Sequence, residues 1–266
     1  MKKYALVLML AVFAAAGFSQ SAFTIGGNYW RASPDFEFDM YQDTDMGDGN
    51  MIGPYINYRF GKLIFGGSLF FGNFKLSREV DAEDYFDPYD YYDWYYWGDY
   101  YNQIDLESVK MEATLKRMDI NGTIGYSVIR PVTVFAAFKS INSKLTDYKI
   151  NGEDEEDIDD FEYSGILIGG GISGVAVFPQ SPFFLFGSFA FLTGSLTYKE
   201  GGEEVDYGDA EDQNLASFTL GAGYRLTPRL NLLVGYRSDA MNAREADVDA
   251  SEKYKGITIS LGYTVR

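Results

Sequence analysis

Residues 256–266 read GITISLGYTVR. Ile257, Ile259, Leu261, Tyr263 and Val265 alternate with Gly256, Thr258, Ser260, Gly262 and Thr264. Successive side chains of a strand point to opposite faces. The segment therefore predicts a ribbon with one apolar face and one small, polar face. The pattern recurs upstream. Phe23, Ile25, Gly27 and Tyr29 oppose Thr24, Gly26, Asn28 and Trp30. Ile52, Ile56 and Tyr58 oppose Gly53, Tyr55, Asn57 and Arg59, and Ile120, Ile124 and Tyr126 oppose Arg117, Asp119 and Thr123. Phe218, Leu220 and Tyr224 oppose Ser217, Thr219 and Arg225, while Leu232, Val234 and Tyr236 oppose Asn231, Gly235, Arg237 and Asp239. Residues 183–199, FFLFGSFAFLTGSLTYK, are apolar on both faces and leave their phase open.

Ten strands follow: 22–33, 51–60, 62–79, 109–129, 132–150, 165–179, 183–199, 215–227, 230–241 and 252–266. Their connections alternate in length. Gly61, Arg130-Pro131, Gln180-Ser181-Pro182 and Pro228-Arg229 are tight, whereas 34–50, 80–108, 151–164, 200–214 and 242–251 are long. An even number of strands with short turns at one end and long loops at the other is the plan of a transmembrane barrel. Strands of about 9–11 residues suffice to cross a bilayer. A soluble β-sandwich also alternates, but its polar faces carry many Lys and Glu. Here the polar face is Gly, Ser, Thr and Asn, which suits an enclosed lumen.

On this pattern the chain resembles the small outer-membrane β-barrel proteins over nearly its whole mature length. The resemblance implies an all-β fold: a transmembrane antiparallel up-and-down β-barrel with short periplasmic turns and long external loops. It implies an outer-membrane location, with outer-membrane lipid and the barrel assembly machinery as partners. Family members usually end in an aromatic residue, and this chain ends Tyr263-Thr264-Val265-Arg266.

The N-terminus fits export. MKK is a basic head, and YALVLMLAVFAAAGF is an apolar run too short for a typical span. Small residues follow, so residues 1–21 are expected to be a signal peptide cleaved between 17 and 22, leaving 22–266 as one barrel domain. The chain has 266 residues, no Cys, no His and a formal net charge of −17. Nucleic-acid binding is not expected, because phosphate affinity comes from clustered Lys and Arg. No His removes the commonest general base and metal ligand. The barrel enzymes of this membrane, as the resemblance implies, generally use a His, so no catalytic residue, cofactor or metal centre is expected.

Acid is concentrated in the long connections. With their flanks (34–50, 81–108, 151–164, 200–213 and 239–253) they hold 35 of the 39 acidic residues. DTDMGDGN, at 43–50, half-resembles a calcium loop, but its spacing departs from the D-x-D-x-D-G order. Solvated charge fits these runs better, with divalent cations as diffuse partners. Residues 87–101 read DPYDYYDWYYWGDYY. Tyr89, Tyr91, Tyr92, Trp94, Tyr95, Tyr96, Trp97 and Tyr100 form a candidate loop for an extracellular ligand, since such side chains give contact area at low entropic cost. They equally suit an interfacial girdle or a self-packed loop.

Eight charged residues fall on the inward face of the strands: Arg59, Arg117, Asp119, Lys139, Arg225, Arg237, Asp239 and Arg266. Buried charge must be paired, so a salt-bridged network in a narrow lumen is expected. Ten strands lie near the size at which side chains fill a barrel. Two functions remain open from sequence: interaction at the outer surface with a largely filled lumen, or a small passive pore.

Overall fold

The structure is a computed structural model, and it describes residues 21–38, 45–81, 108–129, 131–155, 160–205, 213–245 and 248–265. Residues 1–20 of the expected signal peptide, the 87–101 aromatic segment and Arg266 lie outside the described residues.

The strands are β1 (Ser21–Phe38), β2 (Asp45–Met46), β3 (Gly49–Phe60), β4 (Leu63–Asp81), β5 (Ser108–Ile129), β6 (Val132–Ile150), β7 (Glu153–Asp154), β8 (Phe161–Val177), β9 (Phe183–Glu200), β10 (Glu203–Val205), β11 (Gln213–Arg225), β12 (Leu230–Glu245) and β13 (Val248–Val265). Ten of them are staves in the order β1-β3-β4-β5-β6-β8-β9-β11-β12-β13. Every pairing is antiparallel, and β13 returns to β1 from Phe23↔Val265 to Phe38↔Ala250. The ring is closed, so the staves present no open edge. The short strands β2, β7 and β10 pair with β4, β6 and β9 at the long-connection end.

The alternation read from sequence is the alternation observed. Ile52, Ile56, Ile166, Ile168, Leu220 and Ile257 are 48–63% exposed on the outer wall. In water such a continuous apolar surface would drive association; in hydrocarbon it is the stable choice. Among the described residues no helix is long and apolar enough to cross a membrane. The span is made by strands that pair laterally around a closed ring.

The open phase of 183–199 resolves here. Phe183, Leu185, Phe189 and Phe191 face outward, while Ala190, Leu192 and Leu196 are buried in the lumen. Both faces are apolar because the lumen at this wall is itself apolar.

Two connections differ from the expectation of long open loops. After β6 the chain reverses at Asn151-Gly152, with φ of 54° and 86°, and pairs Ile150 with Glu153. After β9 it reverses at Gly201-Gly202, with φ of 58° and 84°, and pairs Glu200 with Glu203. Positive φ at both central residues is the two-residue hairpin turn that matches strand twist, and Asn-Gly is its strongest sequence signal. The acidic runs therefore begin on short hairpins that continue β6 and β9.

Candidate functional site: a stoppered lumen

The lumen has two unlike halves. Toward the long connections it is filled. Trp30, Met51, Phe70, Phe74, Leu115, Ile141, Leu167 and Tyr254 are buried there and belong to one hydrophobic cluster. Trp30 meets Phe70 edge-on at 6.3 Å and Tyr254 at 6.4 Å, and Phe74 meets Tyr254 at 5.3 Å.

Inside this apolar packing sits a charge network. Arg117 and Asp119 are two apart on β5; Arg237 and Asp239 are two apart on β12. Each pair shares a face because strand side chains repeat every second residue. In the ring β5 and β12 are opposite walls. Arg117 Nε donates to Asp119 Oδ1 at 2.9 Å. Arg237 donates to Asp239 twice, Nε to Oδ1 at 3.0 Å and Nη2 to Oδ2 at 2.7 Å. Lys139, from β6, joins the walls: its Nζ donates to Asp239 Oδ2 at 2.6 Å. The same Nζ stands 2.9 Å from Asp119 Oδ2, as an ion contact whose angle is poor for a hydrogen bond. Ser217 adds a hydroxyl donor to Asp239 at 2.7 Å.

The inward-face reading from sequence omitted one member. Glu252, grouped by sequence with the acidic connections, lies buried in the lumen and accepts from Arg117 Nη1 at 3.0 Å. The Tyr163 and Tyr254 hydroxyls also donate to it. Its signal was available: Glu252 shares the even-numbered phase of Thr258 and Ser260 on β13. With it, Arg117, Lys139 and Arg237 face Asp119, Asp239 and Glu252, so three cations meet three carboxylates. Asp119, Asp239 and Lys139 are 0%, 1% and 2% exposed. At such burial each charge needs its partner, because an uncompensated one is strongly destabilising. Two guanidiniums also lie over rings: Arg117 is 4.0 Å from the Tyr254 centroid and Arg237 is 4.6 Å from that of Trp30. Desolvated cation–π contacts of this kind contribute about 2 kcal/mol.

Arg59 and Arg225, expected with the other inward charges, stand apart from the network. They line a cavity of about 1270 Å³ in the short-turn half of the lumen. Its wall is rich in amides and hydroxyls, among them Asn28, Asn57, Asn121 and Thr123. The lumen is thus filled over the long-connection half and open over the short-turn half.

No family model matches the sequence, and no curated protein matches it. Solved structures do. The outer membrane protease OmpT from Escherichia coli aligns at 11% identity over 92% of this chain and 97% of its own, with a TM-score of 0.51. The translocator domain of the autotransporter NalP from Neisseria meningitidis aligns at 10% identity over 98% of this chain and 95% of its own, with a TM-score of 0.45. Ail, the attachment invasion locus protein of Yersinia pestis, aligns at 10% identity over 92% and 97%, with a TM-score of 0.33. At these identities the likeness is one of fold. The fold is that of the small outer-membrane β-barrels, here with ten staves.

Proposed function

We propose that the protein resides in the outer membrane as a sealed barrel and works at its long-connection end. There it takes part in surface interaction through adhesion, polymer or cation binding, or shielding. The observation that carries this reading is the stopper. A balanced six-charge network, embedded among Trp30, Phe70, Phe74 and Tyr254, links β5 and β6 to β12 and β13 across the lumen. Moving an ion through would require breaking buried pairs that have no competing solvent. Supporting the surface role, the paired β4 and β5 run together over nineteen positions and carry the 82–107 connection, where the Tyr/Trp/Asp segment lies.

The reading is non-enzymatic. OmpT is a protease, but its likeness to this chain is in fold at 11% identity. With no His and no Cys in the sequence, the usual base and thiolate nucleophile are absent.

A small passive pore is the second reading, favoured by the open cavity in the short-turn half. Solute uptake into proteoliposomes separates the two. A sealed barrel leaves arabinose-driven swelling at the rate of empty vesicles, and swelling above that rate supports the pore. Replacing residues 87–101 by a short Gly/Ser linker, with the barrel intact, should abolish adhesion to its surface partner. Adhesion that survives the replacement would remove that segment from the account.

A further inference from the structure

The cavity in the short-turn half differs from the stopper in its charge balance. It is lined by Arg59 and Arg225, and among the described residues no carboxylate lines it. These arginines come from β3 and β11, four staves apart on a ten-stave ring, so positive charge faces the space from well-separated walls. Low-dielectric walls of one sign focus the field and concentrate counter-ions. Guanidinium groups also present the paired donors that carboxylates and phosphates accept.

A flat aromatic surface lies in the same space. Tyr55 rests across two neighbouring staves. A Cβ on Gly26 would stand 2.4 Å from its ring, and a Cβ on Gly262 would stand 2.0 Å from its hydroxyl oxygen. Glycine at both positions lets the ring lie against the wall and leaves its other face to the cavity. On the far side Phe184 lies against Gly223 in the same manner, with the Arg225 guanidinium 5.8 Å from its centroid. Between these walls, amides and hydroxyls that both donate and accept line the space. At about 1270 Å³ the space exceeds the 300–1,000 Å³ of an ordinary small-molecule pocket.

We propose that the short-turn half of the lumen is a binding chamber for an acidic saccharide. Arg59 and Arg225 take its acid groups, Tyr55 packs against a sugar face, and the Asn and Thr side chains meet its hydroxyls. In the orientation proposed above, the chamber opens to the periplasm. It depends on the stopper for its closed inner end and is independent of what the long connections bind.

The chain has no Cys, so Ser188→Cys places a single reporter thiol on the cavity wall. The experiment follows its reaction with a small neutral maleimide in the refolded barrel. Tri-galacturonate is the acidic saccharide probe, maltotriose its neutral counterpart and tripolyphosphate an anion without sugar. At about four times its Kd, tri-galacturonate should slow the reaction about fivefold, the factor set by occupancy. Maltotriose should change it less than about twofold on the same arithmetic. The protection should vanish in a variant that adds R59Q and R225Q and keeps its β-sheet circular dichroism. Absence of protection by tri-galacturonate, or its persistence in that variant, would overturn the proposal. Equal protection by tripolyphosphate would overturn the saccharide assignment and leave a plain anion trap. Conductance is read separately, so a leaking stopper and an empty chamber give different results.

Discussion

Lys139 reaches across the lumen to Asp239, 100 positions later in the chain, and the two atoms meet at 2.6 Å. The contact ties β6 to β12, and through Asp119 it includes β5. Two Arg-x-Asp pairs on opposite walls are thereby made one unit. A charge removed anywhere in it strands another in an apolar surround.

Loss of the bridging cation should therefore be costly. K139M leaves Asp119 and Asp239 facing each other with one fewer partner, and breaking a buried pair costs about 3–5 kcal/mol. R59Q, at an exposed position on the cavity wall, should stay within about 0.5 kcal/mol of the native protein. Reversible urea unfolding in lipid vesicles compares the two. Equal stabilities would mean that the network is not structural.

The outer wall makes a second demand. Ile168 is 63% exposed, within the apolar belt. I168R should cost up to about 2–4 kcal/mol in a bilayer, the penalty depending on depth. In the same unfolding measurement I168L should be near neutral. A tolerated arginine would argue that this wall does not meet lipid.

Gly262 tests the aromatic ring on the inner wall. G262V brings atoms into the space of Tyr55, whose hydroxyl oxygen would lie 2.0 Å from the new Cβ. The ring must leave the wall, at the cost of about 1–3 kcal/mol that overpacking exacts. Adding Y55A should recover most of that loss. A G262V protein as stable as the native one, or no recovery in the double variant, would show that the two positions do not compete for space.

At the long-connection end Asp48 accepts from the Ser33 hydroxyl and from Arg31 Nη2, the latter at 2.9 Å. The Ser33 hydrogen bond first, and the Arg31 guanidinium second, hold its carboxyl below the usual 3.8. A depressed carboxylate contributes stability above its unfolded pKa and loses it as pH falls through the folded value. Carboxyl NMR titration should place the Asp48 midpoint below 3.8, and S33A should move it upward. An unmoved midpoint would remove the hydroxyl from the account.

The barrel was legible in sequence because its rule is local. Ile257, Ile259 and Leu261 repeat on one face wherever the chain lies, and the spacing of turns does the rest. The stopper was legible in part for the same reason: the phase of Arg117, Asp119, Lys139, Arg237 and Asp239 follows from their strands. Glu252 was missed because it sits where an acidic connection meets a stave, and composition outweighed phase. Which walls face each other was not legible. That depends on ring order, so the pairing of Lys139 with Asp239 could not be read from residues 100 positions apart. The open chamber was also hidden, since it depends on Tyr55 lying flat over Gly26 and Gly262, a contact between three staves.

Whether the stopper closes the lumen is read by single-channel recording of the refolded protein in a planar bilayer. The native barrel should be silent. A folded variant carrying K139A and D239A, which removes a cation and a carboxylate together, should gain a measurable conductance. A stable conductance from the native protein, unaffected by those two substitutions, would contradict closure by the stopper.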